Sequence, residues 1–158
     1  MNTLPHILID DREKAPLSFQ NAPNSRERLP YGDYTLRDYP GFIVERKRID
    51  DFCRSISGKR RAAFFSELCR LRDDYRFARL VIIGTPAEYV KAYAMAKSLT
   101  GGRLTAASIS GTLHAINSKF IPVVRVEIAE QAAALIEEWA IQYRTAHHEQ
   151  SKVIYPNQ

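Results

Sequence analysis

The run Leu80-Val81-Ile82-Ile83, closed by Gly84-Thr85-Pro86, constrains this chain more than any other feature. Successive strand residues point to opposite faces, so four apolar residues in a row need cover on both sides of a sheet. Helices must supply that cover. From Asp50 the pattern turns helical: Phe64, Leu68, Leu71 and Tyr75 recur at spacings of 4, 3 and 4, which is one apolar stripe. Further helices are predicted over 87–99 and 103–118, divided by Gly101-Gly102. A last one, over 129–143, has Ala132, Leu135, Ile136, Trp139 and Tyr143 on its buried side.

The first fifty residues have a strand period instead. His6 to Ile9 is an apolar run that ends abruptly in Asp10 and Asp11, as a buried strand delivering acids at its C-terminal end would. Residues 14–30, with three Pro, two Asn and two Ser and no period, are predicted to be a mobile loop. Tyr31-Gly32-Asp33 opens a strand over Tyr34–Arg37, and a turn at Asp38–Gly41 leads into Phe42–Lys47, giving an antiparallel hairpin. With Phe120–Val126 as a last strand, the expected architecture is α/β: a sandwich with a central mixed sheet of about five strands flanked by helices.

At 158 residues and 45% hydrophobic content, the chain is long enough for one core without staples. Cys53 and Cys69 have no metal-type spacing and are expected to be buried thiols, while His114, His147 and His148 offer no third ligand. No eighteen-residue apolar stretch exists, and the N-terminus lacks the basic leader of a signal peptide, so an intracellular protein is expected. The tail from His147 is polar and expected to be loose.

The charge is localised. Residues 44–79 hold eleven Lys/Arg against six acids, a surplus equal to the whole net charge of +5, and the rest of the chain balances. Such a segment suits phosphate contacts, which release condensed counterions, or is simply a solvated face. Lys59, Arg60 and Arg61 follow Gly58 at a helix start, where cations oppose the helix dipole. That placement favours a phosphate-binding purpose for all three.

Three carboxylates, Asp10 (or Asp11), Asp33 and Glu45, stand at strand edges or turns, and Lys47 lies two residues after Glu45. Residues i and i+2 of a strand share a face, so Glu45 and Lys47 point one way while Val44 and Arg46 point the other. Phosphodiester hydrolysis needs a cation to polarise the phosphoryl oxygen and activate water, and Mg2+ typically takes one or two carboxylates plus waters and phosphate. Asp33 and Glu45 supply such ligands. Lys47 is the candidate to orient or deprotonate the attacking water and to stabilise developing charge.

The strings ILIDDRE (7–13), LPYGDYTL (29–36) and IVERKRIDDF (43–52) stand in that order at compact spacing. Here the chain resembles the nuclease domain of the XPF-type structure-selective endonucleases, whose signature runs D-x-R-E, then G-D, then E-R-K-x-x-x-D. The match assigns Asp10, Arg12 and Glu13 to the first part, Gly32 and Asp33 to the second, and Glu45, Arg46, Lys47 and Asp51 to the third. The similarity continues through GKRRAAFFSELCRL and SISGTLHAINSKFIPVV, covering roughly residues 6–144.

The resemblance implies a restriction-endonuclease-like core of the PD-(D/E)xK superfamily over residues 1–146, followed by a flexible tail at 147–158. It implies a metal-dependent DNA endonuclease of repair or recombination acting at branched, flap or fork structures. In it Asp10, Asp33 and Glu45 bind Mg2+, with Mn2+ able to substitute, and Asp33, Glu45 and Lys47 are catalytic. Glu13, Arg46 and Asp51 are supporting residues, and Arg12, Lys59, Arg60 and Arg61 are expected to contact DNA. The bland alternatives are a bridge from Glu13 to Arg12 or Arg46, a helix-start role for Asp51, and packing for Tyr31 and Tyr34. Asp11 is expected to be a solvated neighbour of Asp10.

Many relatives carry helix-hairpin-helix modules after this domain. The sequence ends before any, so a partner chain or a self-sufficient minimal nuclease is expected, with a homodimer or partner interface through helices 103–118 and 129–143. Two rivals remain open. One is a catalytically silent DNA-binding module, which would be expected to lack one of the four key residues; the other is a sequence-specific restriction-type nuclease that cuts plain duplex.

Overall fold

The computed structural model describes residues 3–154. In chain order the elements are β1 (Ile7–Asp10), β2 (Asn24–Glu27), β3 (Tyr34–Leu36), β4 (Tyr39–Arg48), α1 (Ile49–Ser55) and α2 (Arg60–Asp74). They continue with β5 (Phe77–Ile83), α3 (Pro86–Leu99), α4 (Ala106–Lys119), β6 (Val123–Val126) and α5 (Ala129–Ile154). The strands form one mixed sheet ordered β2-β1-β3-β4-β5-β6. β1–β3 and β3–β4 are antiparallel, whereas β1–β2, β4–β5 and β5–β6 are parallel. The fold is the expected α/β sandwich, with six strands instead of about five.

The run at 80–83 behaves as its composition requires. Leu80 and Ile82 pack with Ile43 into a core beneath α1–α4, while Val81 and Ile83 join Phe42 and Val44 in a second core beneath α5. Two capping boxes fix where α3 and α4 start: Thr85 and Glu88 exchange side-chain and backbone bonds, as do Thr105 and Ser108.

Three local expectations need correction, and one holds. The segment 14–30 contains β2 and is anchored: Leu17 and Ala22 are buried in the core under α5, and Leu17 N donates to the Tyr34 hydroxyl at 2.9 Å. The turn expected at Asp38–Gly41 is shorter, because β4 already begins at Tyr39, and the register shifts between Thr35 and Leu36 accommodate it. The helix start expected just after Gly58 is present, α1 ending at Ser55 and α2 beginning at Arg60, with Gly58, whose φ is +56°, in the break. The stretch from His147 expected to be loose is helical to Ile154, with His147 and His148 against Tyr39 at ring-centroid distances of 5.3 and 6.1 Å. The end of the expected tail, residues 155–158, lies outside the described residues.

Trp139 packs edge-on against Phe77 at 5.7 Å, and Phe77 stacks on Phe42 at 4.7 Å, so part of the indole is covered within the chain. Cys53 is buried, Cys69 is half-buried, and both are free thiols. Among the described residues no helix is long and apolar enough to cross a membrane.

Candidate active site

The strand order places β1, β3 and β4 side by side, which brings three acids distant in sequence onto neighbouring strand ends. Asp10 N donates to Asp33 O at 2.8 Å, and Asp33 N donates to Val44 O at 3.0 Å, so the backbone itself ties these positions together. Gly32 makes the approach possible. Its φ is +70°, and a Cβ there would lie 2.5 Å from Ile43 Cγ1, so any side chain meets both strain and collision.

Parity then sorts β4. Ile43 faces the core beneath α1–α4, and Glu45 and Lys47 follow it on that face, with Lys47 Nζ 3.4 Å from Glu45 Oε1 and 5.1 Å from the Phe64 ring centroid on α2. Arg46 faces the other side, where its guanidinium donates to Glu13 at 2.6 Å and to Ala15 O at 2.9 Å. The Tyr34 hydroxyl also donates to Glu13, at 3.3 Å. Glu13 and Arg46 thus bridge loop to sheet behind the acids.

Asp10, Asp33 and Glu45 line one cleft of about 510 Å³, closed on its far wall by α2. They do not converge into a ready-made metal cage: among the described residues no three His, Cys, Asp or Glu side chains are grouped to hold an ion. Each acid is drawn to a protein donor instead. Asp10 accepts from Arg12 Nε at 2.8 Å and Leu29 N at 3.1 Å, Asp33 accepts from Arg46 N at 2.7 Å, and Glu45 has Lys47. Asp33 and Glu45 keep the most capacity for a further ligand, and two carboxylates plus waters are a normal Mg2+ donor set.

The electrostatics agree. Burial, joined by the charge of Glu13, pushes the Asp33 carboxyl up to about 7 despite the Arg46 amide and the Lys47 and Arg46 charges. Burial, then the charges of Asp33 and Glu67, push Glu45 well above the ordinary carboxylate range, against the pull of Lys47. A half-buried and a buried carboxylate short of positive charge are the donor chemistry a divalent cation satisfies.

Other candidates are spread around this centre. Arg12 lines the cleft, with Nη2 donating to Leu29 O at 2.7 Å. Asp51 is exposed in the first turn of α1 and pairs with Arg54, away from the cleft, as a helix-start acid would. Lys59, Arg60 and Arg61 are exposed at the start of α2. Arg61 is partly engaged, donating to Ile56 O at 2.9 Å and lying 4.8 Å from the Phe65 ring centroid. Asp11 is a surface partner of Arg28 at 3.4 Å.

Sequence reasoning missed Glu67 and Arg70, which line the same cleft from α2. A signal was present: Glu67 stands three residues after Phe64 and four before Leu71, so it borders the apolar stripe that faces the sheet. A second hollow, about 390 Å³ between α1 and α3, is lined by Cys53, Ala92, Met95 and Leu99 among others and by none of the three acids.

Residues 9–138 match the ERCC4 domain family. The chain belongs to this family. The ERCC4 domain here also resembles the solved structure of XPF from Aeropyrum pernix, with a TM-score of 0.65 at 22% identity, covering 93% of this chain and 71% of that one. XPF from Aeropyrum pernix in complex with DNA gives the same TM-score and identity, with 90% of this chain and 66% of that one covered. At that identity the likeness establishes the fold. No curated protein sequence matches the chain.

Proposed function

We propose that this ERCC4 domain is a divalent-metal-dependent endodeoxyribonuclease acting on branched DNA such as flaps and forks, as repair and recombination require. Family membership supports an endonuclease-type function, and the DNA-bound Aeropyrum pernix relative supports a DNA partner. The observation that carries the reading is the pairing of half-buried Asp33 with buried Glu45, both raised in pKa, with Lys47 on the Glu45 face.

Asp33 and Glu45 would hold Mg2+, or Mn2+ in its place, and Asp10 would join them on release from Arg12 or Leu29. A bound cation supplies polarisation of the phosphoryl oxygen and a lowered pKa for water. Lys47, held between Glu45 and the Phe64 ring, orients the attacking water and stabilises charge that develops on the phosphate. Glu13 and Arg46 fix β4 from behind. Lys59 and Arg60 contact DNA phosphates, Arg12 would do so on leaving Asp10 or Leu29 O and Arg61 on leaving Ile56 O, and Asp51 supports the start of α1. We place the nuclease domain in residues 1–146 of an intracellular protein. A second copy or a partner chain would dock on α4 and α5, where Ile141 is exposed.

The test is direct. Labelled flap, fork, nicked and plain duplex DNA are incubated with the protein in Mg2+, Mn2+ or chelator, beside Asp33→Asn. Cutting of flap or fork that needs metal and Asp33 is expected; cutting that survives chelator, or an Asp33→Asn protein as fast as wild type, overturns the proposal.

A further inference from the structure

Two residues of the cleft wall have no part in the chemistry above. Tyr31 stands two positions before Asp33, and Arg70 faces it from α2. Arg70 Nη1 donates to the Tyr31 hydroxyl oxygen at 2.7 Å, with the guanidinium carbon 5.2 Å from the ring centroid. The ring packs partly against the core beneath α1–α4, so the phenol is a fixed post.

The two arginines of the cleft differ in what they have left to give. Arg12 is committed to the Asp10 carboxylate and the Leu29 carbonyl. Arg70 is exposed, and among the described residues it forms no ion pair; its side-chain hydrogen bond goes to a neutral phenol oxygen. A guanidinium has five N–H donors, so most of its capacity is unspent. Because the Tyr31 oxygen is the acceptor in that bond, the phenol proton is free to donate outward, and among the described residues no acceptor takes it. A cation and an O–H donor, preorganised against each other at the rim of an acidic cleft, match an anionic oxygen.

We propose that Arg70 and Tyr31 form a subsite for the DNA phosphate next to the one being cut. The inference rests on the endonuclease reading and adds a positioning role to it. Two residues of chain span at most about 7 Å, of the order of one nucleotide step, so a phosphate on Tyr31 and its neighbour at Asp33 sit naturally on one strand. Holding the flanking phosphate fixes the register of the scissile one, which is where orientation gains its rate advantage.

The test measures binding of the full chain to fluorescent flap DNA across a salt series, in chelator so that nothing is cut. Arg70→Gln is expected to bind about tenfold more weakly at low salt. It should also lower the slope of log K against log salt by about 0.9, one phosphate's worth. Tyr31→Phe keeps the packed ring and should lose about threefold. In a second arm, neutral methylphosphonates replace the phosphates flanking the mapped cut, one at a time. At one of them wild type should lose affinity while Arg70→Gln loses no more.

A wild-type salt slope in Arg70→Gln, or equal methylphosphonate penalties in both proteins at every position, overturns the inference. Failure of the endonuclease reading looks different: wild type then leaves every DNA uncut in Mg2+ and Mn2+. The salt slope requires no cleavage and decides the subsite by itself.

Discussion

Two buried carboxylates on opposite sides of the sheet meet opposite fates. Glu137, on α5, is 8% exposed, and Glu45, on β4, is 5% exposed. Glu137 accepts from Asn21 N and Ala22 N, both at 2.9 Å, and from Asn21 Nδ2 at 3.0 Å. Burial pushes its carboxyl up, but the amides of Ala22, Asn21 and Gln20 outweigh it and leave the group below the ordinary range. Glu45 has one ammonium at 3.4 Å and two acidic neighbours, and it ends well above that range. Burial is common to both. The supply of donors decides whether the fold spends an acid on itself or keeps it short of a cation.

The largest expected effect tests the needy side. Asp33→Asn and Lys47→Ala should each lower the cutting rate on flap DNA by at least about a hundredfold, measured in single turnover, while DNA binding persists. Rates within a few-fold of wild type would put Asp33 and Lys47 in the same class as Glu137. Next comes the satisfied side. Glu137→Ala leaves buried amides of Asn21 and Ala22 without an acceptor and should destabilise the protein by roughly 2–4 kcal/mol in urea unfolding. Glu137→Gln, which keeps one acceptor oxygen, should cost less.

The same contrast sets opposite pH slopes. Folded Asp33 titrates at about 7 against an ordinary 3.8, so between those values the folded metal-free protein binds more protons than the unfolded chain. Its stability should therefore fall as pH rises through that window, and Asp33→Asn should flatten the slope. Metal affinity must run the other way, rising from pH 6 to 8 as the proton competing for Asp33 leaves, a rise readable by calorimetric titration of Mn2+ without DNA. Glu137 is lowered, so its contribution is complete above about 4.5 and is lost as pH falls through its folded value. Thermal melts of Glu137→Gln should show a shallower acid limb and an unchanged slope near neutrality.

What was legible in the sequence follows from which residues carry period. The apolar run at 80–83 and the parity of 43–47 announced a doubly covered sheet with Glu45 and Lys47 on one face, because strand geometry leaves no other choice. β2, Asn24-Ser25-Arg26-Glu27, was illegible: it is a mostly exposed edge strand whose pairing is dictated by the backbone of β1, and it needs no apolar alternation. The length of α5 was legible but overlooked, since no Gly or Pro interrupts 129–154 and polarity alone does not end a helix. Glu137, four residues after buried Ala133 and beside Ile136, was a charge on an apolar stripe, which signals a partner without naming it. That partner, the 14–30 segment, is a contact across 116 residues that no local pattern encodes.

The smallest predicted effect concerns the cations at the start of α2. Lys59, Arg60 and Arg61 stand where no acid occupies the first turn, so they oppose the helix dipole. Stability gives no reason for Lys59 and Arg60 there, and Lys59→Gln with Arg60→Gln should raise it by about 0.3–1 kcal/mol per site. Their use would lie in phosphate contacts, but the three are unequal. Arg61 already donates to Ile56 O and lies over Phe65, whereas Lys59 and Arg60 have no ion-pair partner among the described residues. Replacing all three should therefore lower the slope of log K against log salt by about 1.8, two phosphates' worth. A drop near 2.7 would mean that Arg61 leaves its carbonyl for DNA, placing it with the needy groups of the cleft side. No drop would make the cluster a solvated face, and the dipole penalty would then stand without compensation.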